Sequence, residues 1–252
     1  MRIATWNLWP KNRQQKEGVD FLLSLNADII CLQELREETV KYLHTIKGFF
    51  CVPEIDLHIG NEVFWKAILS KQKSSAVQTV PFIIKTKPCL ALTQLPKIKI
   101  CTEGRNFQYA DFELEGKKIR VFNVHLSSTT GSLHRFKQLN EIQQYFIKNG
   151  TIICGDFNSF ATPILNALVG LVYRYSFKEY FIHEYDLLTH FAREHHLQVG
   201  YDKQVTHPLS RTHLDHILVP EMWSVKDAAI YKNRYGSDHR LMTVEVLNEV
   251  NC

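Results

Sequence analysis

Nowhere in the 252-residue chain does an apolar run approach the roughly 20 residues that a helix needs to span a bilayer. Its six cysteines, at 31, 51, 89, 101, 154 and 252, form no C-x-x-C pair. The first absence argues against a membrane anchor, and Met1-Arg2-Ile3-Ala4-Thr5-Trp6-Asn7 leads straight into a strand pattern, so no signal peptide is expected. Cys31 and Cys154 lie inside apolar runs, where a reduced thiol behaves as a small hydrophobe. That favours a reducing, cytoplasmic setting over a disulfide framework, although an even count leaves bridges open. An excess of one charge is lacking too: 30 Lys and Arg against 26 Asp and Glu leave a formal +4. This permits a polyanionic partner but falls short of the basic footprint of a dedicated nucleic-acid-binding domain. Linkers, low-complexity segments and fixed-period repeats are also missing, so one domain over residues 1–252 is expected.

The most informative stretch is Ile152-Ile153-Cys154-Gly155-Asp156-Phe157-Asn158. A buried-strand run meets a glycine, and a carboxylate and a carboxamide follow two positions apart, on the same face of an extended chain. Taken alone, this is equally a polar turn closing a strand. Similar chemistry recurs at other strand ends. Arg2 to Leu8 is a strand ending near Asn7, and a helix follows to about Leu25; Ile29-Ile30-Cys31-Leu32 delivers Gln33 and Glu34. A helix from Glu37 to about Ile46 precedes short strands beginning at Phe49 to Pro53, with strand character over Trp65 to Ser70, Ala76 to Ile84 and Leu90 to Leu95. Phe107 to Leu114 and Lys118 to Leu126 read as a hairpin around Glu115-Gly116, ending at His125. Ser132 is placed to cap an amphipathic helix running to Phe146. Thr162-Pro163 is a helix start, His213 to Val219 a strand, and Tyr235 to Arg240 precedes a last strand, Leu241 to Leu247.

Alternating strands and helices at the start of each half, with hairpins between, suggest two mixed sheets packed face to face with helices outside. Loops at one edge of such a sandwich bring together Asn7, Glu34, His125, Asp156, Asn158, Asp215, Asp238 and His239. Carboxylates and amides without a cysteine cluster describe a site for a hard cation, Mg²⁺ or Mn²⁺. With histidines to move protons, the set fits phosphoester hydrolysis. Other residues carry weaker signals. His190 with His195 or His196 has loose helical spacing but lacks the glutamate of a metalloprotease motif, and His183, His207 and His213 add nothing to it. Lys11, Arg13 and Lys16 are a solvated face or a phosphate contact. Trp6, Trp9, Tyr173 and Tyr175 fit packing better than base stacking.

The ordered set Thr5-Trp6-Asn7, Leu32-Gln33-Glu34, Asn123-Val124-His125-Leu126, Gly155-Asp156-Phe157-Asn158, Leu214-Asp215-His216-Ile217 and Gly236-Ser237-Asp238-His239 resembles the endonuclease/exonuclease/phosphatase superfamily, from residue 3 to about 246. The resemblance implies an α/β (α+β) four-layer sandwich of two mixed, mainly antiparallel sheets. It implies that Glu34 is the main metal carboxylate, supported by Asn7 and Asp238. Asp156 and Asn158 would hold the attacking water and the phosphate. His239, oriented by Asp215, would activate the water or stabilise the phosphorane, and His125 would stand beside the scissile phosphate where other members carry tyrosine. Two departures stand out: Phe64-Trp65-Lys66 where members often have a glycine, suggesting a differently shaped loop, and His216 where an aromatic is frequent. The expected activity is a Mg²⁺- or Mn²⁺-dependent phosphodiesterase, a monomer acting on DNA or RNA. The alternatives are an inositol-phosphate phosphatase, a sphingomyelinase-like enzyme, an enzyme removing adducts from DNA ends, and a catalytically silent binding module.

Overall fold

Alternation along the strands builds this fold. In the computed structural model, which describes residues 1–84, 105–114, 116–128, 130–159, 170, 176–201 and 204–248, the chain forms two six-stranded mixed sheets. The first half contributes β1 (Arg2–Asn7), α1 (Gln15–Ser24), β2 (Ile29–Leu35), α2 (Glu37–Leu43), β3 (Phe50–Ile59), β4 (Glu62–Ser70) and β5 (Ala76–Pro81). After these come β6 (Asn106–Leu114), β7 (Lys117–His125), α3 (Ser132–Ile142), β8 (Thr151–Asp156), α4 (Glu184–Glu194), β9 (Leu197–Val199), β10 (Asp215–Pro220), β11 (Ser224–Ile230) and β12 (Met242–Leu247). One sheet runs β11-β12-β1-β2-β4-β3 and the other β5-β6-β7-β8-β10-β9. Among the described residues only β1 with β2 and β7 with β8 pair in parallel; the other described ladders are antiparallel.

Each strand offers one stripe to the seam between the sheets and one to the helices. Ile3, Cys31, Val121, Ile152, Cys154, Ile217 and Val244 meet in the seam. Ala4, Trp6, Ile30 and Leu32 turn outward against Val19 and Leu22 of α1 and Val40 and Leu43 of α2. Phe122, Val124, Ile153 and Leu218 turn outward against Leu139 and Ile142 of α3 and Leu188 and Phe191 of α4. The result is the expected four-layer α/β sandwich. Among the described residues no helix is long and apolar enough to cross a membrane.

Several boundaries differ from the sequence expectation. The short strands expected from Phe49 are one ten-residue strand, β3, joined to β4 through Gly60 at φ 64°. Phe64, Trp65 and Lys66 therefore lie inside β4, not in a loop. The strand beginning at Ala76 stops at Pro81, which lacks the N–H to continue a ladder. Helix α2 ends at Leu43, short of Ile46. Gly131, not Ser132, is the N-cap of α3, and one first-turn donor is met by Glu179, whose carboxylate accepts from Leu133 N at 3.1 Å. After Ile142 the chain tightens into a 3₁₀ turn, Gln143–Tyr145. The amphipathic pattern of α3 hides a buried arginine: Arg135 donates to Glu184 at 2.6 Å and to the Thr130 carbonyl. The edge strand β11 escapes sequence detection because a register shift between Val225 and Asp227 breaks its alternation and Lys226 and Asp227 interrupt its apolar residues. The strand expected at Leu90 to Leu95, the helix start at Thr162-Pro163, and Tyr173 and Tyr175 lie outside the described residues.

Candidate active site

The seam-facing stripes run Ile3-Thr5-Asn7, Cys31-Gln33, Val121-Asn123-His125 and Ile152-Cys154-Asp156, apolar at one end and polar at the other. Parallel pairing of β1 with β2 and of β7 with β8 puts these polar ends at one edge, with Asn7 beside Gln33 and His125 beside Asp156. Antiparallel β10 begins there, pairing Asp215 with Asp156. Asn123 and Gln33 form the floor: Gln33 Nε2 donates to Asn123 Oδ1 at 2.8 Å, and Asn123 Nδ2 donates to the Leu32 and Ala67 carbonyls.

Local backbone strain marks the same edge. Gly155 lies at φ 141°, and a Cβ there would stand 1.9 Å from the Val124 carbonyl oxygen, so only glycine fits. Trp9, Glu34, Asn158 and Tyr235 adopt positive φ of 61°, 58°, 51° and 43°, conformations that non-glycine residues hold only when their surroundings over-determine them. Glu34 sits where β2 shifts register against β4, between Leu32 and Leu35. Asp56 is the unpaired residue of a second shift, in β3 between Ile55 and Leu57. Such bulges re-aim side chains, and Asp56 Oδ2 accepts from the Glu34 N–H at 3.3 Å.

Asp156 is the centre. Its Oδ2 accepts from Asn7 Nδ2 at 2.9 Å and its Oδ1 from the Asn158 N–H at 2.8 Å. Two imidazoles converge on it: His125 Nε2 lies 3.7 Å and His239 Nε2 3.8 Å from Asp156 Oδ2. Each ring is held from behind by a carboxylate, His125 Nδ1 by Asp56 at 2.7 Å and His239 Nδ1 by Asp215 at 2.8 Å. An ionised carboxylate only accepts, so each Nδ1 carries the hydrogen and each Nε2 is left for the cleft. Ser237 fastens His239 by accepting from its N–H at 2.9 Å and donating to the Asn7 carbonyl at 2.7 Å.

Asn7, Glu34, His125, Asp156, Asn158, Asp238 and His239 all line a cleft of about 1480 Å³, while Asp215 is wholly buried behind His239. The electrostatics are uneven. Burial, reinforced by Asp56, Asp156 and Asp238 against the pull of His125, pushes the Glu34 carboxyl up to about 7. Burial also opposes charge on Asp56, but His125 and Lys66 hold it well below the usual carboxylate range. Burial would lower the His239 imidazole; Asp215, then Asp156 and Asp238, lift it instead to about 10.

This donor set fits a hard cation. Glu34 carries a carboxyl whose charge is disfavoured by burial and by carboxylates around it, and Asp215 and Asp238 each keep a buried oxygen without a hydrogen-bond partner. A divalent ion relieves both conditions. Ligand atoms of Asp156, Asp215 and His239, and of His207, Asp238 and His239, lie within 4.8 Å of one another. Glu34 stands outside both clusters, its Oε1 3.6 Å from His125 Nε2.

Three residues at this edge escape sequence reasoning. Asp56 lies mid-strand, and only the bulge turns it toward His125. Lys66 is fully buried with Nζ 3.7 Å from Asp56 Oδ1. His207, grouped with the unproductive histidines, lies 3.7 Å from Asp238 and edges His239 with ring centres 4.9 Å apart. His190 and His196 instead approach Glu194 and Glu221 at 3.2 and 2.7 Å, and among the described residues neither they, His183 nor His195 joins a metal-sized cluster. His216 bridges Ser159 Oγ at 2.7 Å and the Tyr201 hydroxyl at 2.6 Å, fixing the turn after Asn158. Trp6 is core, Trp9, Lys11 and Arg13 line the cleft, and Lys16 lies over the Tyr42 ring instead.

Comparison with known proteins places this geometry. Over 98% of its length the chain resembles an endonuclease/exonuclease/phosphatase family protein from Leptotrichia buccalis (15% identity, 99% of that chain, TM-score 0.67). The Bacteroides thetaiotaomicron mannosyl-6-phosphatase matches at 17% identity over 98% of this chain and 99% of its own, TM-score 0.63. The D. rerio TDP2 complexed with a single-strand DNA product matches at 16% identity over 98% of both chains, TM-score 0.64. A comparison with curated protein sequences gives no match. The model of the Endonuclease/Exonuclease/phosphatase family matches residues 4–239, a span that takes in every site residue from Asn7 to His239, and the chain belongs to that family.

Proposed function

We propose that residues 1–252 act as one domain, a phosphodiesterase dependent on Mg²⁺ or Mn²⁺ that hydrolyses DNA or RNA. The observation that carries this reading is the convergence of two carboxylate-backed imidazoles on Asp156 in a cleft that also holds Glu34. Glu34, Asn7 and Asp238 would hold the cation, which supplies polarisation of a phosphoryl oxygen and charge neutralisation at the leaving oxygen. Asp156 and Asn158 orient water against phosphorus, and Asp156 is placed to accept its proton. His239, charged through Asp215 and its neighbours, donates from Nε2 to a phosphoryl oxygen, and His125 stands beside the scissile phosphate. The water oxygen bonds to phosphorus as its proton passes to Asp156, the ester P–O bond breaks, and the departing oxygen takes up a proton from solvent water.

A nucleic acid is favoured over a small ester by Lys11, Arg13 and Arg36 along the same cleft. Against it, Glu37, Glu38 and Glu62 also line the cleft and repel a long polyanion. That observation supports the second reading, a phosphatase acting on a small ester, as the name of the Bacteroides mannosyl-6-phosphatase suggests for that protein. The purified protein is offered plasmid, single-stranded and end-blocked DNA, RNA, sugar and inositol phosphates and sphingomyelin, with Mg²⁺ or Mn²⁺ and with chelator. Metal-dependent cleavage of polynucleotides, lost in Glu34→Ala and His239→Ala, is expected; turnover confined to phosphomonoesters would transfer the assignment to the second reading.

A further inference from the structure

Three of the four tryptophans are absorbed by the fold, and one is not. Trp6 and Trp223 belong to core clusters and Trp65 packs against one. Trp6 also donates from Nε1 to the His239 carbonyl at 3.2 Å and meets Tyr235 edge-on. Trp9 joins none of these clusters. Among the described residues its ring has no aromatic neighbour and its Nε1 no hydrogen-bond partner. Core packing, the role expected of it from the sequence, therefore does not account for it. Half-buried, it lines the cleft together with Asn7.

Its backbone is costly as well. Trp9 stands at φ 61°, a conformation that glycine or asparagine takes far more readily than a bulky residue, and Pro10, next in the chain, narrows the choice further. Three hydrogen bonds hold it there: the Trp9 N–H donates to Asn7 Oδ1 at 3.0 Å, and the Trp9 carbonyl accepts from the Asn12 N–H at 3.0 Å and from Gln15 Nε2 at 2.9 Å. None of them involves the indole, so a smaller side chain would keep the turn and relieve the strain. Strain held rigidly at a cleft points to a task for the side chain. We infer that the Trp9 indole is a stacking platform for the base of an unpaired nucleotide adjoining the scissile phosphate. Asn7 stands on the reacting side of Trp9, and Lys11 and Arg13 follow it, exposed and lining the same cleft. An aromatic face next to cations that take phosphates grips a single strand without reading its sequence. In a duplex each base is already stacked on both faces, so the platform selects single-stranded or frayed substrate.

The inference rests on the polynucleotide reading of the cleft. Affinity for a short oligothymidylate, for an abasic strand of equal length and for a closed circular duplex is measured in chelator, together with KM for the oligothymidylate in Mg²⁺. The wild-type protein should prefer the oligothymidylate to the abasic strand by about 10-fold. Trp9→Leu should abolish that preference by weakening oligothymidylate binding and raising its KM by the same factor, with the salt slope kept because the phosphate contacts remain. Trp9→Phe should keep most of the preference. Trp9→Asn should lose it as Trp9→Leu does, while melting at or above the wild-type temperature, since asparagine suits φ 61°. An unaltered preference in Trp9→Leu, an equal loss on the abasic strand or the circle, or a clear fall in the melting temperature of Trp9→Asn would each overturn the platform and leave polynucleotide cleavage standing. Wild-type protein that neither binds nor cleaves any of the three polynucleotides would remove the proposed function and the platform with it.

Discussion

Asn7, at the end of β1, donates its carboxamide hydrogen to Asp156, at the end of β8, across the seam between the two sheets and 149 residues of chain, at 2.9 Å. The bond ties one sheet to the other at the mouth of the cleft. Asn7 Oδ1 is meanwhile engaged by the Trp9 N–H at 3.0 Å, so the amide has one orientation. Asn7→Leu should loosen Asp156, which then keeps only the bond from the Asn158 N–H. The expected result is a fall of about 10- to 100-fold in kcat with a small shift in melting temperature; wild-type turnover in the folded variant would show that the bond serves only the fold.

Metal-free stability should fall as pH rises. The Glu34 carboxyl is raised from 4.5 to about 7, so the stability tied to its protonated form is complete below 4.5 and lost as pH rises through 7. The His239 imidazole is raised from 6.5 to about 10; its contribution is complete below 6.5 and lost as pH rises through 10. The losses are on the order of 3 kcal/mol for Glu34 and 5 kcal/mol for His239. Thermal melts in chelator between pH 5 and 10 should show two descents, the first absent from Glu34→Gln and the second from His239→Gln. A flat profile in the wild type contradicts both shifts.

Lys11 and Arg13 stand exposed on the loop after β1, which Asn12 stiffens by donating to the Leu8 carbonyl at 3.0 Å. If a polynucleotide lies along this wall, Lys11→Ala and Arg13→Ala should each reduce by about 1 the slope of log affinity against log salt for a single-stranded oligonucleotide. Hydrolysis of bis(p-nitrophenyl) phosphate should not change. Equal losses on both substrates would mean that the loop shapes the site and does not track a backbone.

Gly155→Ala forces a Cβ to within 1.9 Å of the Val124 carbonyl oxygen at φ 141°. No side-chain movement relieves a backbone contact, so the parallel ladder of β7 with β8 must open. A loss of at least about 2–3 kcal/mol by denaturant titration is expected, with His125 and Asp156 displaced together because they face each other across that ladder. A variant as stable as wild type would place the glycine's role elsewhere.

Residues that end an alternating run are legible in the amino-acid sequence. Asn7, His125 and Asp156 close apolar stripes of period two, and a stripe that turns polar at its end can only meet solvent or a site there. His239 is legible through the short motif Ser237-Asp238-His239, with no strand running through it. Asp56 and Lys66 are not. Both lie inside strands, where a buried charge looks like an exposed one until its partner on another element is known. Arg135 misleads for the same reason: on a helical wheel it falls on the stripe of Leu139 and Ile142, where a lone charge reads as a break in the apolar face, but Glu184, 49 residues later, neutralises it in the interior. His207 looks like one more histidine in a His-rich stretch because its neighbours Asp238 and His239 arrive from the far end of the chain.

The chain itself determined which faces of its strands are apolar, where those faces end, and hence that carboxylates and imidazoles gather at one edge of a sandwich, because alternation and hydrophobic burial act locally. Only the stacking of the sheets decided which carboxylate serves which imidazole, Asp56 for His125 and Asp215 for His239, and which buried ammonium stands behind Asp56. Those pairings depend on register shifts in β2 and β3 and on contact across the seam. Both arise from long-range packing, which leaves no periodic trace along the chain.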